Sequence, residues 1–186
     1  MSPGASSTVD PIDTARLRLR PVEESDAVHL ARLMTPAVTR WLASWPSVVT
    51  ESLARERLAQ MRDVMLNGHA LCLAIERRAD QAFMGCVVVF RSRDDARRGG
   101  LGYWLGEPYQ RQGFMTEAAS AAVAAAFDRL DVRAIEAGAQ PENAGSFAIM
   151  RALGMRSIGP RSMWAAGRQR DELCEYYEVA RTDFAS

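Results

Sequence analysis

Ala15-Arg16-Leu17-Arg18-Leu19-Arg20 alternates apolar and basic side chains strictly, the period of a half-buried strand, and Pro21 closes it. Ser25-Asp26 then opens an amphipathic stretch through Val28, Leu30, Ala31, Leu33 and Met34 that predicts a helix. Pro36 and Pro46 bracket an aromatic-rich connection holding Trp41, Leu42 and Trp45. Thr50-Glu51 begins a longer helix carrying Leu53, Leu58, Met61, Val64 and Met65, and Asn67-Gly68 is a good stop. Ala70 to Glu76 and Phe83 to Phe90 read as strands joined by a short polar turn, hence a hairpin. The charged run Arg91 to Arg98 reads as a solvated loop, and Gly102-Tyr103-Trp104-Leu105 as a central strand. An alanine-rich helix is expected from about Thr116 to Leu130, with Val123, Phe127 and Leu130 on one face. A strand from Val132 to Ala139, a helix from Asn143 to Leu153 and a final strand from Leu173 to Arg181 complete the pattern. Strands and helices in this order predict an α+β domain around one mixed sheet.

Composition narrows the class without naming the chemistry. The 186 residues suit one domain with a core of its own, 48% hydrophobic and 25% charged. Twenty-three basic residues balance twenty-three acidic ones, so no overall field draws the chain to nucleic acid or to anionic lipid. No apolar run has the length of a membrane span, and the small, polar residues 1–12 lack the pattern of a signal peptide. They predict a flexible tail before a domain over residues 13–186, and a cytoplasmic location. Cys72, Cys86 and Cys174 are an odd number at wide spacing, which suits buried free thiols. With only His29 and His69 beside them, no metal site is expected.

The segment from Gly102 to Glu117 holds the most chemical information. A strand stops at Leu105, a polar loop follows, and a helix starts just after Gly113. Main-chain N–H groups at such a helix start have no intrahelical partner, and the helix dipole adds partial positive charge there. A diphosphate is a natural guest. Gly113 allows close backbone approach, and Arg111 can add a cation. One exposed phosphate contact at a helix end contributes about 0.3–1 kcal/mol, so several N–H donors must converge. An ordinary strand–loop–helix connection stays open as the alternative. No Gly-Lys-Ser/Thr and no set of three spaced glycines is present, which excludes a nucleotide P-loop and a dinucleotide fingerprint.

Gln110-x-x-Gly113-x-Met115 resembles the Q/R-x-x-G-x-G/A loop with which GNAT N-acetyltransferases hold the diphosphate of coenzyme A. Pro141-Glu142-Asn143-Ala144-Gly145-Ser146 with Leu153-Gly154-Met155 is similar to the N-x-x-S…LGF stretch of the same family. The similarity runs from about Leu17 to Arg181, and Trp41-Leu42…Trp45-Pro46 with Gly102 to Leu105 looks like the RimJ/RimL-type branch, which acetylates ribosomal-protein amino termini. The resemblance implies a single domain whose mixed, mostly antiparallel sheet is flanked by helices on both faces. It implies acetyl-CoA as acyl donor, bound by Tyr103, Trp104, Leu105, Gln110, Arg111, Gln112, Gly113, Phe114, Met115, Thr116, Asn143 and Ser146. Met115 departs from the usual glycine or alanine, so its side chain must turn away from the phosphate.

Asn143 suits a helix cap by its own chemistry. By the resemblance, Ser146 matches the serine that protonates the departing thiolate, and Met150 stands where other members carry a tyrosine acid. A first-turn serine without a catalytic part is the alternative for Ser146. The base is open: ungapped counting puts Ala165 where the branch has an acidic residue, and Glu136 is the substitute, with a structurally paired carboxylate as its alternative. An α-amine, with pKa near 8, needs little help, whereas a lysine amine near 10.4 costs roughly 4 kcal/mol to neutralise at pH 7. Trp41, Trp45 and Met34 are expected to wall the acceptor groove, with helix-to-sheet packing as the alternative. The expected partner is an amine, on a protein N-terminus or a small molecule, and a homodimer stays open. A catalytically silent acyl-CoA-binding module is the competing reading.

Overall fold

The computed structural model describes residues 9–184. The tail expected over residues 1–12 lies outside the described residues for 1–8, and its last residue already belongs to the domain. Ile12 pairs with Leu19, joining β1 (Ile12–Asp13) to β2 (Leu17–Pro21). The alternation of Leu17 and Leu19 with arginines decides that strand: both leucines are fully buried while Arg18 faces out.

A 3-10 turn at Glu24–Asp26 leads into α1 (Ala27–Leu33). The inter-proline connection holds a single turn of helix, α2 (Pro36–Thr39), and then loops through Trp41 and Trp45. Thr50 caps α3 (Glu51–Leu66), its hydroxyl accepting the Leu53 N–H at 3.2 Å. The expected hairpin is β3 (Ala70–Arg77) with β4 (Phe83–Arg91), antiparallel, followed by β5 (Arg98–Leu105). The charged run 91–98 thus reduces to a turn, because Arg91 and Arg98 belong to the strands on either side. The alanine-rich helix α4 (Phe114–Arg129) starts two residues earlier than its sequence suggests. After it come β6 (Ala134–Ala139), α5 (Ala144–Ala152), β7 (Arg156–Ala165) and β8 (Arg170–Ala180).

The period-2 pattern sorts the core into two. Leu71, Leu73, Ile75, Val87 and Val89 face α4 and α5, while Ala70, Cys72, Ala74 and Cys86 face α1 and α3. The alanines of α4 (Ala118, Ala119, Ala122, Ala126) are fully buried, which brings that helix close against the strands. Among the described residues the strands form one sheet in the order β1-β2-β3-β4-β5-β6-β8-β7, antiparallel except at β5–β6. All three cysteines are free and buried, and burial pushes the Cys72 thiol up to about 12. No helix of the described residues is long and apolar enough to cross a membrane.

The parallel pair positions the site. β5 and β6 pair only at Arg98–Ala134, Gly99–Ile135 and Gly100–Glu136. Beyond that point Leu101 to Leu105 stay with β4, and Ala137 to Ala139 stay with β8. The sheet therefore opens into a cleft, and the facing edge of β5 has no strand against it.

Candidate active site

The loop after β5 ends on two left-handed residues, Arg111 at φ +59° and Gly113 at φ +76°. A Cβ at Gly113 would meet only the Arg16 guanidinium, at 3.4 Å, so glycine is required there by the dihedral rather than by space. Arg111 lacks that excuse. Its left-handed backbone costs of the order of 1–3 kcal/mol, a strain typical of ligand-binding loops. The result is a run of donors: among the described residues, the N–H groups of Arg111, Gln112, Gly113, Phe114, Met115 and Thr116 have no hydrogen-bond acceptor. Tyr109 and Gln110 N–H before them, and Glu117 N–H after them, are satisfied within the chain. Six consecutive open amides at the N-terminus of a sixteen-residue helix form a concave anion site.

Side chains hold this loop in shape. Gln110 donates from Nε2 to the Leu105 carbonyl at 2.8 Å, tying the loop to the strand it leaves. Gln112 donates to the Pro108 carbonyl at 2.8 Å, and its own carbonyl accepts Arg16 Nη1 at 2.9 Å. Arg16 also lies over the Phe114 ring at 4.4 Å and pairs with Glu117 at 2.7 Å. Burial alone would raise the Glu117 carboxyl, but hydrogen bonds from Thr14, the Arg16 amide and the Arg16 guanidinium together hold it below its ordinary value. Its charge is therefore spent on Arg16 rather than presented to an anion. The Phe114 and Met115 side chains are buried in the core, so Met115 does turn away from the open amides.

A second helix end faces the loop across the cleft. Asn143 Oδ1 accepts the Ser146 N–H at 3.1 Å, the cap that its position suggests. The Tyr103 hydroxyl donates to the Ser146 carbonyl at 3.3 Å, and burial pushes its pKa up to about 12. It is a neutral phenol at physiological pH. Met150 is fully buried in the core and contributes no polar group.

Two cavities meet here. The first, about 750 Å³, is lined by Tyr103, Trp104, Leu105, Gln110, Arg111, Gly113, Phe114, Met115, Thr116, Asn143 and Ser146. Of the residues expected to bind the acyl donor only Gln112 is absent from its wall. The second cavity, about 680 Å³, shares Trp41, Tyr103, Trp104, Asn143 and Ser146 with the first and continues to Trp45, Arg57, Glu136, Trp164 and Tyr176.

Two expected residues take other parts. Met34 is 2% exposed in the core between the sheet and α1/α3 and lines neither cavity, so it packs rather than contacts a substrate. Glu136 does line the second cavity, but Arg161 holds both its oxygens at 3.1 Å and Arg98 adds a further contact at 3.4 Å. Both oxygens are already engaged by guanidinium. Of the other carboxylates on β8, Glu178 pairs with Arg98, and Glu172 with Arg168 at 2.6 Å.

Sequence reasoning missed the clamp that closes the second cavity. The β7–β8 turn docks on the segment after α2: Gly167 N–H donates to the Ala43 carbonyl at 2.8 Å, and Arg168 donates to the Thr39 and Leu42 carbonyls at 3.3 and 3.2 Å. A Cβ on Gly167 would stand 2.0 Å from the Trp45 carbonyl oxygen. The hydrogen bond from Arg168 is the chief reason the Glu172 carboxyl is lowered to about 2. Among the described residues no group of three His, Cys, Asp or Glu side chains is placed to hold a metal.

Comparison with known proteins fits this geometry. The family described as "Acetyltransferase (GNAT) domain" matches residues 16–156. A relative named "Uncharacterized N-acetyltransferase p20", from Bacillus licheniformis, is 29% identical over 147 residues, 78% of this chain and 82% of its own. The ribosomal-protein-S5-alanine acetyltransferase of Vibrio fischeri superposes with a TM-score of 0.77 at 22% identity, covering 96% of this chain and 100% of its own. Mycobacterium smegmatis RimJ, solved in complex with CoA-disulfide, gives 0.75 at 22% identity, covering 91% and 84%. Those two likenesses show the fold. The family match extends over most of the chain and takes in both helix ends of the cleft, and the chain belongs to the GNAT acetyltransferase family.

Proposed function

We propose that this chain moves the acetyl group of acetyl-CoA directly onto a primary amine. The observation that carries the reading is the run of six open amides from Arg111 to Thr116, at the end of a cleft that reaches a second cavity beside Ser146. Bound acetyl-CoA supplies a thioester; transfer forms the C–N bond, breaks the C–S bond, and lets the proton lost by nitrogen replace the acyl group on sulfur.

The roles follow from position. The loop amides and Arg111 hold a diphosphate, and the open edge of β5 offers main-chain groups to the extended arm of the donor. N–H groups alternate in direction along a strand, and that of Gly106 bonds back to Met84 on β4. The N–H groups of Tyr103 and Leu105 are therefore the ones turned to the open edge, where they suit the negative charge that develops on the carbonyl oxygen. Ser146, on the wall common to both cavities, is the proton donor to sulfur, with the Tyr103 hydroxyl beside it. Glu136 is given a structural part, since two arginines share its charge. Among the described residues no unpaired carboxylate then lines the second cavity, and the amine loses its proton to water. Such a site works best on an amine of modest pKa, an α-amine rather than a lysine side chain.

The test is a thiol-release assay with a panel of amines, run beside calorimetry with coenzyme A. Amine-dependent thiol release with saturable coenzyme A binding is expected. Tight coenzyme A binding with no turnover on any amine would favour a silent binding module, and no binding at all would remove both readings.

A further inference from the structure

Among the described residues the second cavity carries a guanidinium without an ion-pair partner. Arg57, on α3, lines it, and the Arg57 Nε is buried with no hydrogen-bond partner. Its one protein hydrogen bond is from Nη2 to the Ser44 carbonyl at 3.3 Å, and its guanidinium lies over the Trp45 ring at 5.7 Å. Among the described residues it forms no ion pair, whereas Arg98 and Arg161 hold Glu136, and Arg168 holds Glu172. A buried donor on a charged group that stays unsatisfied is destabilising, and a protein tolerates it where a ligand completes the hydrogen bond.

The rest of the wall describes what else the ligand carries. Trp45, Trp164, Tyr176, Phe90 and Met61 make it largely aromatic and apolar. Trp164 and Phe90 are 55% and 45% exposed, unusual for large aromatic side chains that have no partner to cover them. Among the described residues the only carboxylate on the wall, Glu136, is already shared by two arginines, so none of them offers Arg57 an anion within the cavity. The clamp of Gly167 and Arg168 on the Trp41–Trp45 segment bounds the cavity at one end, and about 680 Å³ suits a small ligand.

We infer that the acceptor is a small amine that carries a carboxylate and an apolar or aromatic body, with the carboxylate on Arg57 and the amine toward Ser146. This rests on the transferase reading for the fate of the amine, but the anion site stands on Arg57 alone. A guanidinium takes a carboxylate through two parallel N–H bonds, and Nε with one Nη presents that fork.

The experiment uses amino acids and dipeptides with aromatic side chains, each as the free acid and as the C-terminal amide. They are titrated into the coenzyme A-loaded chain and assayed for turnover with acetyl-CoA. The free acids are expected to bind tighter than their amides by the order of ten- to a hundredfold. Arg57→Gln is expected to erase that difference while leaving coenzyme A affinity and melting temperature unchanged, and Arg57→Lys to restore part of it. Because each acid is compared with its own amide in both proteins, differences in amine pKa cancel. Acid-selective binding through Arg57 without turnover keeps the carboxylate site on Arg57 and overturns its assignment to an acetyl acceptor. Equal binding of acids and amides, no binding of any acid, or a preference that survives Arg57→Gln overturns the site itself.

Discussion

The two halves of the cleft are built from different materials. The side proposed for the donor, Arg111 to Thr116, presents main-chain N–H groups from one continuous segment. The side proposed for the acceptor is walled by side chains from at least four separate parts of the chain: Trp41 and Trp45 after α2, Arg57 on α3, Glu136 on β6, and Trp164 and Tyr176 on the last hairpin. A main-chain site depends on dihedrals and on helix position, so it tolerates changes in most side chains but not at Gly113. A side-chain site is redefined by any substitution in its wall. Within one fold, the first keeps a common donor and the second is free to diverge with the acceptor.

Substitutions at the two sites should separate cleanly. The largest effect is expected from Gly113→Glu. It forces a non-glycine residue to φ +76° and sets a carboxylate before the open amides. Coenzyme A affinity should fall by the order of a hundredfold or more in calorimetry, with the domain still folded. Ser146→Ala should lower kcat by about a hundredfold and leave coenzyme A affinity alone; an unchanged kcat would remove its role as proton donor.

Gly167→Ala attacks the other half. Its Cβ would stand 2.0 Å from the Trp45 carbonyl, so the β7–β8 turn must lift from the segment it clamps. We expect acceptor KM to rise about tenfold, stability to drop by about 1–3 kcal/mol, and donor affinity to stay as it was. The smallest effect is expected from Glu172→Gln, of the order of 1.5 kcal/mol. The folded-state pKa of Glu172 lies near 2, below its ordinary 4.5, chiefly through the Arg168 hydrogen bond. Its contribution is present in full above 4.5 and fades as pH falls toward 2. Melting curves of wild type and variant should therefore run apart above that range and converge at its acid end. Parallel curves throughout would mean that Glu172 is not what makes the clamp acid-sensitive.

What the sequence disclosed follows the same division. The helix start after Gly113 and the Asn143 cap were legible because their chemistry is local: a glycine before a helix, and an asparagine three residues before the N–H it accepts. The β3–β4 hairpin and the α4 core face were legible because burial imposes a period on the residues. β7 was not, since it lies at the sheet edge with most side chains in solvent, and Arg156 to Trp164 carries no alternation. Glu136 could be read as a base or as a paired carboxylate, and the sequence does not choose because its partners Arg98 and Arg161 lie 38 and 25 positions away. Nothing local in the sequence singles out Arg57, and nothing local decides whether Met34 walls a groove or packs: each is defined by what the fold brings to it.

The central claim is tested most directly by amide NMR of the isotope-labelled chain, following Arg111 to Thr116 during titration with coenzyme A and, separately, with pantetheine, which lacks the diphosphate. The six amides should shift strongly and become protected from exchange with coenzyme A, and respond far less to pantetheine. If coenzyme A binds while those amides stay where they were, the diphosphate lies elsewhere and the donor site described for this chain is wrong.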